Sequence, residues 1–147
     1  MRWDAYFLSI CNAVGSNSKC MSRKIGAILV RDKVVICTGY NGPPRGIAHC
    51  EGEECPRRTA GYKSGEGLHL CPAAHAERNA IVQAARLGIQ TKEATLYLNT
   101  GVPCKDCLIE MINAGISEIV CTNIFFYDNL SETILNQSHL KVREFEL

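Results

Sequence analysis

His75, Glu77, Cys104 and Cys107 are the residues of this chain whose types and spacing best suit a reaction. The first two stand in His75-Ala76-Glu77, and the thiols in Pro103-Cys104-Lys105-Asp106-Cys107. One imidazole nitrogen and two thiolates give zinc three ligands and leave a fourth position for water, whose pKa zinc lowers to about 7. A closed structural site would take a fourth strong protein ligand. Glu77 is then a carboxylate close to the metal, suited to moving protons rather than to ligation. Taken singly, the pieces say little. A C-x-x-C pair also serves as a redox couple or as half of a structural zinc site, and a His-x-Glu is common. Together, each opening a helix, they point to catalytic zinc.

The elements around them follow from periodicity and punctuation. Trp3, Tyr6, Phe7, Ile10, Cys11 and Val14 recur at helical spacing, which predicts a helix over 3–15 ended by Gly15-Ser16. Two β-branched runs, 25–30 and 34–38, flank Arg31-Asp32-Lys33 and read as a hairpin. Residues 40–74 show no period, and a structureless stretch this long in a compact domain must be functional or held by something other than a core. A helix is expected over 75–87, closed by Gly88 at C′. A strand follows over 94–98. Next comes a helix that opens with Pro103 at its first position and stops at Gly115. A strand over 119–121, a short helix over 131–136 capped by Ser131, and an edge strand over 142–145 complete the chain. The order α-β-β-α-β-α-β-α-β implies parallel strands joined by crossovers after the hairpin. The expected fold is a three-layer α/β/α sandwich with a mixed five-stranded sheet.

This arrangement favours ligation at the two thiols. Cys104 and Cys107, three apart at a helix start, share one face. The unpaired N–H groups and the positive end of the macrodipole there stabilise thiolates. His75 and Glu77 are harder to reconcile. Residues two apart on a regular helix point to opposite sides, so both can face one pocket only if His75 lies at or before the N-cap.

Composition narrows the partners. The chain has 147 residues, 46% hydrophobic and 21% charged, enough for one packed domain over 1–147. Its net charge is +1 with no basic run, which argues against a nucleic-acid duplex, although a few arginines for one small phosphate remain open. Met1-Arg2-Trp3-Asp4 leads straight into an amphipathic pattern, so no signal peptide is expected. No apolar run approaches the roughly 20 residues a membrane span needs. The nine cysteines therefore read as thiols or ligands rather than disulfides, and the cytoplasm is the expected location.

These residues resemble the cytidine deaminase superfamily and, within it, the deoxycytidylate (dCMP) deaminase family. The resemblance rests on Ser22-Arg23-Lys24-Ile25-Gly26-Ala27, on Thr38-Gly39-Tyr40-Asn41-Gly42-Pro43-Pro44-Arg45-Gly46, and on His49-Cys50. It continues in His75-Ala76-Glu77-Arg78-Asn79-Ala80-Ile81 and Pro103-Cys104-Lys105-Asp106-Cys107. The zinc pattern specifies the superfamily, whereas the Gly-Tyr-Asn-Gly-Pro loop narrows it to the dCMP enzymes. Arg78 and Thr100-Gly101-Val102 depart from the residues more familiar at those places.

The resemblance implies hydrolytic attack at C4 of the cytosine ring to give dUMP and ammonia, feeding thymidylate synthesis. His75, Cys104 and Cys107 would hold zinc and Glu77 would shuttle protons. The Ala76 N–H would meet the pyrimidine O2 and Asn41 the deoxyribose hydroxyl, with Tyr127 near base and sugar. Arg23 and Lys24 are the candidates for the 5′-phosphate, which needs charge-assisted donors; a solvated loop is the plainer reading of both. The remaining thiols Cys20, Cys50, Cys55 and Cys71 suit a closed Cys₄ zinc site that would clamp the 40–74 stretch; His49 or His69 could replace one. Cys11, Cys37 and Cys121 read as core thiols.

Relatives of this kind are commonly homohexamers activated by dCTP and inhibited by dTTP, with Mg2+ on the triphosphate. That resemblance points to Gly42, Arg45, Gly46 and Arg86 as regulatory positions. For Arg86 the macrodipole alone would also favour a cation. Rival expectations are a zinc deaminase acting on cytidine, guanine or a tRNA adenosine, and a zinc module that senses nucleotides without catalysis.

Overall fold

The computed structural model describes residues 2–50, 55–63 and 65–147. A first helix, α1 (Arg2–Gly15), leads into a hairpin of β1 (Gly26–Arg31) and β2 (Val34–Tyr40). Asp32 and Lys33 form its two-residue turn, both at positive φ (51° and 61°), the geometry that matches the twist of paired strands. The chain then passes a four-residue helix α2 (Pro56–Thr59) and a 3-10 turn at Leu68–Leu70 before α3 (Ala76–Leu87). The rest alternates: β3 (Thr95–Leu98), α4 (Lys105–Asn113), β4 (Glu118–Cys121), α5 (Asn129–Gln137) and β5 (Lys141–Glu144).

The five strands form one sheet in the order β2-β1-β3-β4-β5. β1 pairs antiparallel with β2 and β3, while β3, β4 and β5 run parallel. This is the expected mixed sheet, and β5 lies at an edge. On one face Ala27, Leu29, Leu96, Leu98 and Ile119 pack with Ala76, Ala80 and Ala84 of α3 and Leu108 and Met111 of α4. On the other, α1 brings Phe7, Leu8 and Cys11 against Ile28, Val30, Tyr97 and Val120. Cys11, Cys37 and Cys121 are buried as expected of core thiols. None of the helices among the described residues is long and apolar enough to cross a membrane.

Three local expectations are corrected. Pro103 is not the first residue of α4: Cys104 occupies the N-cap, with φ −63° and ψ 165°, and the helix begins at Lys105. Ser131 does not cap α5. Asp128 does, its carboxylate accepting from the Ser131 N–H at 2.7 Å, so the helix starts at Asn129. The 40–74 stretch is not structureless, since it contains α2 and the 3-10 turn. Both are too short to leave a periodic signature.

Candidate active site

α3 is pressed onto the sheet at its N-terminal end. A Cβ on Gly39 of β2 would collide with the backbone of Ala76 and Ala80, so only glycine allows this approach. The Asn79 side chain donates to the Tyr40 carbonyl at 2.8 Å. Gly42 and Ala74 exchange backbone hydrogen bonds of 3.2 and 2.9 Å, which holds the residue before His75. His75 is the N-cap of α3 in extended conformation, φ −66° and ψ 155°. That placement lets His75 and Glu77 face one site: His75 Nδ1 lies 3.5 Å from Glu77 Oε1.

α4 delivers the thiols from the next helix start. His75 Nδ1 is 3.5 Å from Cys104 Sγ and 3.3 Å from Cys107 Sγ. All three ligand atoms lie within 4.8 Å of one another. Zinc with bonds of about 2.3 Å to sulfur and about 2.0–2.1 Å to nitrogen would hold tetrahedral N and S donors roughly 3.6 Å apart. The observed separations fit that metal, as does the donor chemistry. Cys107 is buried, Cys104 half-buried and His75 exposed, so the set is open on one side.

The electrostatics fit a cation as well. The Cys107 thiol donates to Cys104, and His75 and the Cys107 N–H at the helix start add to it; together they bring Cys104 down to about 5. The hydrogen bond to the Cys104 thiolate, together with burial, pushes Cys107 far upward in turn. His75 is raised to about 10, chiefly by Cys104 and then by Glu77. For Glu77, burial opposes charge, but His75 and Cys107 outweigh it and hold the carboxyl below its ordinary value. One anionic thiolate and one anionic carboxylate thus converge where a divalent cation would stand.

Asp128 is a positioning residue that sequence reasoning missed. One carboxylate oxygen caps α5 and the other accepts from the Lys105 N–H at 3.1 Å, the first amide of α4. Burial opposes its charge, but the Ser131 and Lys105 amides lower it overall. Its side chain therefore sets the turn that carries Cys104. Arg78 spans the two helices by an ion pair to Glu110 at 3.1 Å.

A cavity of about 590 Å³ opens over His75, Glu77 and Cys104, within the range of small-molecule sites. Asn41, Arg23 and Tyr127 line it. The Asn41 side chain accepts from Ile25 N–H and donates to the Arg23 carbonyl, both at 2.9 Å, and keeps a further N–H. Arg23 donates to Thr100 Oγ1. Lys24 is not among the lining residues; its ammonium donates to the Ser18 carbonyl instead. The Ala76 methyl is buried in the core, and its N–H is one of the helix-start amides with no intrahelical acceptor. Ser22, Arg57, Thr100 and Phe125 also line the cavity and were not anticipated. The Arg57-Arg58 pair beside Cys55 was the one visible signal.

Gly42, Arg45, Gly46 and Arg86 lie outside the cavity wall. Arg45 donates to Gln83 Oε1 of α3 at 2.6 Å, and Arg86 follows one turn later on that helix. The four remaining cysteines are near one another. Burial raises Cys50 first, then Cys55, Cys71 and Cys20 raise it further, and Cys50 and Cys55 share a hydrogen bond. No three of their sulfurs meet within 4.8 Å; among the described residues only His75, Cys104 and Cys107 form such a group.

Known proteins resemble this chain in sequence and in fold. The pattern of the cytidine and deoxycytidylate deaminase zinc-binding region matches residues 1–123. The deoxycytidylate deaminase of Saccharomyces cerevisiae is 38% identical over 143 residues, 97% of this chain and 45% of that protein. That of Schizosaccharomyces pombe is 35% identical over 97% of this chain and 44% of its own length, so the chain spans less than half of these two relatives. The deoxycytidylate deaminase of Mycobacterium phage D29 is 41% identical over 80% of this chain and 92% of its own. In fold, the chain is similar to the dCMP deaminase of cyanophage S-TIM5 solved with dCMP and dUMP, with a TM-score of 0.76, 24% identity, and coverage of 96% of this chain and 95% of the other. With the ligand set, the carboxylate beside it and the mixed sheet all in place, the chain belongs to the cytidine and deoxycytidylate deaminase family.

Proposed function

We propose that this chain catalyses the hydrolytic deamination of dCMP to dUMP and ammonia. The observation that carries this reading is the convergence of His75 Nδ1, two sulfurs and the Glu77 carboxylate on one cavity. Relatives named deoxycytidylate deaminase, and the dCMP and dUMP complex of the cyanophage enzyme, supply the substrate class.

His75, Cys104 and Cys107 would hold zinc. Zinc bound there supplies Lewis acidity that makes water nucleophilic near neutral pH. Glu77 starts as the base, since its carboxyl lies below its ordinary value. It takes the water proton as oxygen bonds to C4, passes that proton to ring N3, then takes the proton left on the C4 hydroxyl and delivers it to the exocyclic nitrogen, so that C4 becomes a carbonyl. The C4–N bond breaks and ammonia leaves. Burial of Glu77 keeps bulk water from competing for these protons. The Ala76 N–H would hold the pyrimidine O2, the spare Asn41 N–H the deoxyribose hydroxyl, and Tyr127 the base-and-sugar edge. Arg23 would meet the 5′-phosphate, a reading supported by its position on the cavity wall.

The wider reading is a cytoplasmic homohexamer supplying dUMP for thymidylate synthesis, activated by dCTP and inhibited by dTTP with Mg2+. The Arg45–Gln83 hydrogen bond bears on the regulatory part alone, since it joins the Gly42–Gly46 loop to the helix that carries Glu77. A second zinc on Cys20, Cys50, Cys55 and Cys71 is supported by the nearness of the other three thiols to Cys50.

The test is a panel of dCMP, CMP, deoxycytidine and guanine, each with and without dCTP and dTTP. A preference for dCMP is expected, and preference for the unphosphorylated nucleoside would sink the assignment. Glu77→Gln is expected to lose about 10²–10⁴-fold in rate with zinc content unchanged. Metal analysis is expected to find two zinc atoms per chain, one of them lost in Cys50→Ser.

A further inference from the structure

Among the described residues, Arg57 is the one strongly buried cation on the cavity wall. It is 7% exposed, and it is the second residue of α2, directly after Cys55-Pro56. Its Nη2 approaches Ser22 Oγ at a long 3.5 Å. Its Nε has no hydrogen-bond partner among the described residues, and no other buried side-chain nitrogen or oxygen among them is in that position. Among the described residues, Glu77 is the sole acid lining the cavity, and it is engaged with His75.

Burying a guanidinium without a partner is costly, and native structures tolerate it chiefly where a ligand completes the pairing. Arginine presents a planar fork that matches the oxygens of a phosphate in bidentate fashion. Ser22 and Arg23 stand on the same wall and add a hydroxyl and a second guanidinium. Arg23 is itself exposed and shared with Thr100, so it is the more adaptable of the two. Lys24 contributes nothing to the wall, with its ammonium held by Ser18.

We infer that Arg57 is the residue that recognises the substrate's 5′-phosphate and so sets the preference for nucleotide over nucleoside. The inference rests on the dCMP reading and deepens it. The phosphate would meet the Nη end of the Arg57 guanidinium, beside Ser22, with Ser22 and Arg23 completing the cradle. Selectivity then arises from a penalty as much as from an attraction, because a nucleoside would leave the buried guanidinium unanswered.

The decisive experiment compares the zinc-loaded wild type with Arg57→Gln on dCMP and deoxycytidine, together with calorimetric binding of dUMP and of inorganic phosphate. The expected result is a fall in kcat/KM for dCMP on the order of 10²-fold, mostly in KM, while deoxycytidine turnover falls far less and phosphate binding disappears. Arg57→Lys is expected to recover part of the dCMP preference, since it restores the charge without the fork. Equal loss on both substrates, or loss of zinc in Arg57→Gln and Arg57→Lys alike, would assign Arg57 to holding the cysteine-rich loop and overturn the inference. An unchanged dCMP to deoxycytidine ratio would overturn it too. If the wild type left dCMP untouched but bound phosphate through Arg57, the activity reading would fall and the anion site would stand.

Discussion

The face of the sheet that carries the reaction and the face behind it are held by different forces. In front, α3 and α4 bury alanines, leucines and methionine against β1, β3 and β4, and a glycine on β2 lets α3 touch the backbone. The ligand-bearing chemistry sits at the two helix starts. Behind, α1 covers a smaller apolar cluster and buries a carboxylate as well. Asp4, 3% exposed, takes a two-pronged pair from Arg143 at 3.0 Å on each oxygen and a 2.7 Å hydrogen bond from the Tyr97 hydroxyl. Arg143 also reaches Glu118 at 3.3 Å. Close packing transmits displacement, so the front face is a rigid mount for ligands that tolerate little error. A charged network can stitch β5 and α1 to the sheet, but it responds to pH.

That contrast can be broken experimentally. Gly39→Ala is expected to have the largest effect, about 3 kcal/mol or more of lost stability, because its methyl would meet helix backbone rather than a yielding side chain. Zinc affinity should fall with it, since α3 carries His75. Calorimetric unfolding with metal analysis reads both, and retention of full zinc affinity in a destabilised variant would show that the mount is less stiff than its packing implies.

Asp4→Asn is expected to cost about 1–3 kcal/mol at neutral pH while leaving zinc affinity intact. Arg143, and then Tyr97, hold the Asp4 carboxyl below its ordinary value against the cost of burial. A depressed folded value means that the stabilisation is fully present above the unfolded value and drains away as pH falls through the folded one. Urea unfolding should therefore show wild-type stability declining below about pH 4, and the decline should be shallower in Asp4→Asn. Parallel curves would remove Asp4 from that account. Arg78→Ala is expected to be the smallest, about 0.2–1 kcal/mol, because both partners of the Arg78–Glu110 pair are more than a third exposed. A larger loss of activity than of stability would make this bridge a spacer between the two ligand-bearing helices.

The parts of the molecule visible in the chain order were those governed by local rules. The 34–38 run, the Asp32-Lys33 turn, the alanine-rich α3 and its Gly88 stop, at φ 70°, depend on residues a few positions apart. The zinc set was legible for the same reason: two ligands three apart, and a His and Glu two apart, carry their spacing in the sequence. Whether His75 and Glu77 could share a pocket was not legible, because it depends on His75 being the N-cap, which the Gly42–Ala74 pairing arranges from a distance. The Asp128 cap was missed because Ser131 is an equally good capping type. The choice falls to Asp128 because its carboxylate also meets Lys105 on the neighbouring helix. Arg57 lies in a stretch without period, and its burial is produced by segments that meet only in the folded chain. Asp4 needs Tyr97 and Arg143 from the far side of the sheet. Ligand types and short spacings were thus settled by the sequence alone, since adjacent side chains obey helix and strand geometry whatever surrounds them. The pairing of buried charges and the shape of the cavity were settled only by tertiary structure, because both depend on residues brought together from distant parts of the chain.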